Sequence, residues 1–119
     1  MPQPTTPLDQ ALTLIKGYRS FTTALSNWSK PLGLSADGCL IVLLLSSEES
    51  PSHSELAASL GLNLATATKI LDRLVNDNFV HRKAHATDRR RIQIHLTSDG
   101  VNLANEIRSE FANFMDQFR

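Results

Sequence analysis

The side chains whose type and spacing suggest chemistry are cations. Between residues 63 and 95, Lys69, Arg73, Arg82, Lys83, Arg89, Arg90 and Arg91 stand against Asp72, Asp77 and Asp88. That stretch carries a net +4 in a chain whose total is zero, so the remainder carries −4. A basic face on an acidic body suits phosphate binding by one surface only. Solvation of a charge run would account for exposure, but not for the concentration of arginine in one loop. Other chemistries have thinner support. His81 and His85 have a metal-ligand spacing only if they share a helix, and here one is expected on a strand and the other in a loop. There is no Gly-rich phosphate loop. Cys39 is the single cysteine, so it cannot form an internal disulfide. With no basic residue near it in sequence, an inert core thiol is favoured over a redox sensor. A thiol hydrolase would need an accessible nucleophile, and Cys39 is expected to be buried. The expectation is a protein that is not an enzyme and uses no metal or cofactor.

Those cations must be positioned by a small body. A chain of 119 residues is read as one small domain, residues 7–119, behind a Pro- and Thr-rich start at 1–6 that is expected to be disordered. The longest uninterrupted apolar run, residues 39–45, is far short of a membrane span, and the start MPQPTTP lacks the blocks of a signal peptide. A cytoplasmic location without membrane contact is expected.

In chain order, Thr6 can cap a helix with Pro7 first and Asp9 near its positive end, running to about residue 29. Its apolar residues Ala11, Leu14, Tyr18, Phe21, Leu25 and Trp28 form a seam of period 3.5, widened by Leu8, Leu12 and Ile15. Pro31 and Gly33 end it. Ser35 can cap a helix over residues 36–46, which is apolar all round and reads as the central buried element. A polar loop at 48–51 follows. Ser52 and Glu55 then form a capping box before Leu56, Ala57 and Leu60, with Gly61 as terminator. Asn63 or a neighbour caps a second helix to about residue 76. Its inward stripe is Leu64, Ala67, Ile70 or Leu71, Leu74 and Val75, and its outer face shows Thr66, Thr68, Lys69, Asp72 and Arg73. Short hydroxyls and cations near a helix start suit entry into a major groove.

A hairpin completes the pattern. Asn78 can take the left-handed conformation that ends a helix. Residues 79–83 read as one strand, and residues 91–96 alternate with Ile92, Ile94 and Leu96 inward. The intervening loop, residues 84–90, has neither Gly nor Pro and carries its arginines at the tip. From there a side chain can reach a minor groove. Asp88 is expected to fix the loop by pairing, since a carboxylate facing phosphate would be repelled. The order helix, turn, helix, winged hairpin is that of a winged helix-turn-helix DNA-binding unit, mostly α with a small β-wing.

At these residues the chain resembles the MarR family of bacterial transcription regulators. The matching positions are Glu55, Leu56 and Ala57; Thr66, Thr68 and Lys69; Leu74, Phe79, Val80 and Arg82; Asp88 and Arg90; and Leu96, Thr97 and Gly100. Asn78 stands where the family usually has glycine, and the chain stops at Arg119, sooner than in most members. The resemblance implies a homodimer on double-stranded DNA at a pseudo-palindromic operator, usually a repressor and often released by a small-molecule effector. Thr66, Thr68 and Lys69 fall on recognition-helix positions and Arg90 on the minor-groove arginine. Arg73, Lys83, Arg89 and Arg91 are the further candidate DNA contacts. Arg73 could instead pair with Asp77 at i+4. The alternative is a protein-interaction subunit or antirepressor that has lost DNA affinity. The retained Thr66, Thr68, Lys69 and Arg90 set favours the regulator.

The last segment bears on assembly. Thr97, Ser98 and Asp99 start a helix in which Ala104, Ile107, Phe111, Phe114 and Phe118 again repeat at 3 and 4. At about 25 cal/mol per Å², exposed phenylalanine rings would each forfeit about 2 kcal/mol. A two-fold dimer joining helices 7–30 and 98–119 around the DNA-binding segment 35–97 is therefore expected, through Leu14, Tyr18, Phe21, Ile107, Phe111, Phe114 and Phe118. A groove for another protein's helix is the competing explanation.

Overall fold

The computed structural model describes residues 5–47 and 50–118. Of the start at 1–6 expected to be disordered, residues 1–4 lie outside the described residues, as do Glu48 and Glu49 of the expected polar loop. Among those described, the order is α1 (Pro7–Ser29), a 3-10 turn (Lys30–Leu32), α2 (Ala36–Leu45), α3 (His53–Leu60), α4 (Leu64–Asn76), β1 (Val80–Ala84), β2 (Ile92–Leu96) and α5 (Ser98–Asp116). The chain divides into two compact units, residues 1–36 and 37–119.

In the first unit, Thr6 and Asp9 close a reciprocal capping box. Thr6 Oγ1 accepts from the Asp9 amide at 3.0 Å, and the Asp9 carboxylate accepts from the Thr6 amide at 3.4 Å. Pro7, lacking an N–H, takes the first helical position at no hydrogen-bond cost. Leu25 is buried and Phe21 and Trp28 are half-buried. The earlier part of the seam is not, with Leu14 74% and Tyr18 70% exposed. Gly33, at φ 75°, turns the chain out of the 3-10 segment.

In the second unit, α2 is the buried element that its composition suggests, with Cys39, Ile41 and Val42 fully enclosed. The Ser52–Glu55 box starts α3, and Gly61 ends it in the left-handed conformation. Asn63 then caps α4, its Oδ1 accepting from the Thr66 amide at 2.8 Å. Ala67, Leu71 and Leu74 are buried, while Leu64, expected in the same stripe, is 51% exposed. It is the first residue of the helix, and burial begins one turn later at Ala67.

Asn78, at φ 64°, closes α4, and the Phe79 amide returns to the Leu74 carbonyl at 2.9 Å. The strands pair antiparallel with Val80 opposite Leu96, Arg82 opposite Ile94 and Ala84 opposite Ile92 on one face. His81 opposite His95 and Lys83 opposite Gln93 occupy the other. Both strands start one residue later than their sequence suggests. The outer edge of β2 is engaged as well, since the Ile94 amide donates to the Pro51 carbonyl at 3.0 Å.

The start of α5 is fastened to the α4–β1 turn. Thr97 Oγ1 accepts from the Gly100 amide at 3.0 Å and donates to the Asn78 carbonyl at 2.6 Å. The Thr97 amide meets the Phe79 carbonyl at 3.0 Å, and Asn78 Nδ2 donates to the Asp99 carboxylate at 3.0 Å. A Cβ at position 100 would lie 2.0 Å from the Phe79 oxygen, so only glycine fits. Further along, Ile107 and Phe114, expected at an interface between chains, are 0% and 6% exposed within the single chain. Their periodic spacing marks an apolar stripe without specifying what covers it, and here the same chain does. Phe111 is half-buried and Phe118 is 41% exposed.

Candidate nucleic-acid interface

Asn63 caps α4 through the Thr66 amide and so sets where the helix starts and which residues share its outer face. Thr66, Lys69 and Arg73 are exposed and Thr68 is half-buried. Arg73 does approach Asp77, at 3.9 Å, but its side chain is 79% exposed. A loose surface pair of that kind contributes about 0 to 1 kcal/mol and leaves the guanidinium available to a stronger anion.

Behind this face runs a polar chain that the sequence did not reveal. Arg82 on β1 donates from Nη2 to the Asp72 carboxylate on α4 and from Nε to His53 Nε2, at 3.1 Å, at the start of α3. His53 Nδ1 lies 3.4 Å from Thr68 Oγ1. One guanidinium thus ties hairpin, recognition helix and positioning helix together. Burial first, and the Arg82 charge second, lower the His53 pKa, with Asp72 opposing. The partners are 10, 15 and 29 positions apart in sequence, so no local spacing announces them.

The wing owes its shape to two side chains. His85 Nδ1 accepts from the Thr87 amide at 3.2 Å and the Asp88 amide at 3.1 Å, while the His85 amide donates to the Arg91 carbonyl at 2.7 Å. Asp88 Oδ1 accepts from the Arg90 amide at 3.1 Å and from Arg90 Nε at 3.2 Å. Asp88 thus pairs with Arg90 inside the loop, and His85 gathers two of the loop's amides on one ring nitrogen. Arg90 projects with its side chain 94% exposed, and Arg89 is exposed beside it.

Two of the expected contacts are placed differently. Arg91 directs Nη2 onto Glu55 Oε1 at 2.7 Å, bracing the wing against α3. Hydrogen bonds from Arg91 and then Ser52 hold the Glu55 pKa below its ordinary value. Lys83 shares the hairpin face of His81 and His95, whereas Arg82 points from the other face toward α4, because adjacent strand residues alternate sides. His81 and His85 do not converge, since His81 stacks on His95 at 5.6 Å while His85 braces the wing. Cys39 is buried and its thiol is pushed up to about 11 by desolvation, the opposite of an activated thiolate.

Recognition helix and wing flank a single cleft of about 470 Å³, whose walls include Leu64 and Thr68 from α4, His53 from α3, and Arg82, Arg90 and Ile92 from the hairpin. Its lining combines apolar Leu64 and Ile92 with cationic Arg82, Arg90 and Arg91, a mixture suited to a groove edge, where sugar and base surfaces meet phosphate. No single described helix is long and apolar enough to cross a membrane.

Comparison with known proteins agrees with this architecture. The sequence profile described as MarR family matches residues 34–92. Among curated relatives, the HTH-type transcriptional repressor YetL of Bacillus subtilis is 33% identical over 95 residues, 78% of this chain. The chain spans 57% of that relative's length. Among solved structures, AbsC of Streptomyces coelicolor, a MarR family transcriptional regulator, superposes with TM-score 0.83 at 22% identity, covering 98% of this chain and 81% of AbsC. The S. aureus MepR protein in its DNA complex gives TM-score 0.80 at 16% identity, over 91% of this chain and 80% of MepR. Matched by profile across the winged segment and by fold over nearly its whole length, the chain belongs to the MarR family of winged helix-turn-helix regulators.

Proposed function

We propose that this protein is a sequence-specific DNA-binding transcriptional regulator, a repressor that acts as a homodimer on a pseudo-palindromic operator. The observation that carries the reading is the cleft. Leu64 and Thr68 of α4 and Arg90 of the wing line it from two elements of one unit, and Lys69 and Arg73 are exposed on the same helix. Helix α4 enters a major groove with Thr66, Thr68 and Lys69 toward base edges, and Arg90 reaches the neighbouring minor groove. Arg91 and Asp88 hold the wing at the required angle instead of touching DNA. Support for repression comes from YetL, a named repressor, and support for duplex DNA from MepR, solved with DNA.

Dimerisation is read from α1, where Leu8, Leu14 and Tyr18 are each at least 67% exposed on an element with a 3.5-residue apolar period. A second copy that covers this stripe sets two recognition helices about 34 Å apart, one turn of the duplex.

The test is fluorescence anisotropy with random duplex, and with the duplex upstream of the protein's own coding region, over a salt series. Affinity that falls steeply with salt and favours one duplex is the expected result, with the slope giving the number of phosphate contacts. A folded protein that binds neither duplex at low salt would overturn the reading.

A further inference from the structure

We propose that His53 is a positioning residue for base reading, which holds the Thr68 hydroxyl as a hydrogen donor directed at the duplex. The inference rests on the DNA-binding reading above and adds a residue to it that lies on α3, outside the recognition helix.

The argument follows the hydrogen bonds. Arg82 Nε can only donate, so His53 Nε2, 3.1 Å away, must accept, and the proton of the neutral ring lies on Nδ1. That nitrogen is 3.4 Å from Thr68 Oγ1, which therefore accepts. The hydroxyl's own hydrogen is left to turn outward, into the cleft that Leu64, Arg90 and Ile92 also line. The surroundings of the ring keep it in this form. Arg82 comes from β1 and Asp72 from α4, while Arg90 and Arg91 stand on the wing side of the same cleft and Arg91 is itself paired with Glu55. Each of these arginines has a carboxylate beside it, Arg90 being paired with Asp88, and it is burial first and the adjacent Arg82 second that oppose a positive ring.

Direction matters because an unrestrained hydroxyl is an ambiguous reader. It can donate or accept, and so tolerates every base edge in the major groove. Held as a donor, it matches the acceptors of guanine N7 and O6, adenine N7 and thymine O4. Amino groups of cytosine and adenine meet it less well, because the ring N–H already occupies one of the hydroxyl's two lone pairs. His53 thus converts a tolerant contact into a selective one without touching DNA itself.

The experiment compares His53→Ala, Thr68→Val and the double variant on two probes: a random duplex, and a duplex that the wild-type protein has enriched from a randomised pool. Each single variant should lose about three- to tenfold per protomer in affinity for the enriched duplex, the range of one neutral hydrogen bond in each half-site. Random-duplex affinity should fall less than this, with the salt slope kept, because no phosphate contact is removed. The double variant should be no weaker than Thr68→Val alone, and a pool enriched by His53→Ala should lose preference at one base-pair position. Multiplying losses in the double variant, or equal losses on both probes, would overturn the proposal and leave His53 a structural residue of α3. If the wild-type protein enriches no sequence and binds no duplex, the DNA-binding reading itself falls, and that result appears before any variant is compared.

Discussion

Arg90→Ala separates the wing's contact with DNA from its contribution to the fold. The side chain is 94% exposed, and its tie to the protein is one Nε–carboxylate pair at 3.2 Å with Asp88. Such a pair contributes about 0 to 1 kcal/mol. The Asp88 carboxylate also accepts from the Arg90 backbone amide at 3.1 Å, and alanine keeps that bond, so the loop retains its shape. Unfolding free energies from urea titration should therefore agree to within about 1 kcal/mol. Operator affinity is a different matter, since loss of a groove-inserted arginine costs about 1 to 3 kcal/mol per protomer. Two wings in a dimer bring that to about 2 to 6 kcal/mol, or roughly 30-fold to more than 10,000-fold in Kd. Anisotropy titration of both proteins on the enriched duplex measures it. A repeat at several salt concentrations tells a phosphate contact, which lowers the slope by about 0.9 per protomer, from minor-groove insertion, which leaves more of the slope intact. An affinity within about twofold of wild type would refute the role assigned to Arg90.

Other consequences can be checked in parallel. Gly100→Ala places a methyl 2.0 Å from the Phe79 carbonyl and should destabilise by about 1 to 3 kcal/mol, read by urea unfolding; an unchanged midpoint would mean that the joint yields freely. The pairs Leu14→Asp and Tyr18→Asp alter side chains 74% and 70% exposed, so the protomer should stay folded while light scattering reports a monomer, and a persisting dimer would move the interface away from α1. The His53 and His95 pKa values are lowered in the folded protein, chiefly by desolvation, so below their ordinary value of 6.5 the unfolded chain binds more protons. Their contribution is complete above about pH 6.5 and is lost as pH falls through the lower folded values. The melting temperature should accordingly drop between about pH 7 and about pH 5, and less so in a His53→Ala, His95→Ala double variant; identical pH profiles for the two proteins would contradict this account.

What could be read from the sequence was local. The caps at Thr6, Ser52, Asn63 and Thr97, and the left-handed turns at Gly61 and Asn78, each depend on residues within a few positions of one another. The pairing of Asp88 with Arg90 is equally short-range, and so was legible. What escaped was decided by tertiary register. Arg91 and Glu55 are 36 positions apart, and they meet only because the hairpin folds back on α3. Lys83 and Arg82 differ by one position, yet the pleat sends them to opposite faces. The helical period of α5 identified Ile107 and Phe114 as apolar-facing, but period carries no information about whether the covering surface belongs to the same chain. Leu64 failed for a related reason, because a stripe says which side is inward and not where along the helix the neighbour begins.

The joint at Gly100 bears on how such regulators can be recombined. A cut between the wing and the last helix, at the point where composition changes, would leave the Phe79 carbonyl and the Asn78 carbonyl facing a foreign helix start. Chimaeras that graft the DNA-reading half of one relative onto the assembly helices of another should carry the donor's residues through position 100. With that junction the exchanged part brings its own seat, and specificity becomes transferable as a module without retuning the recipient.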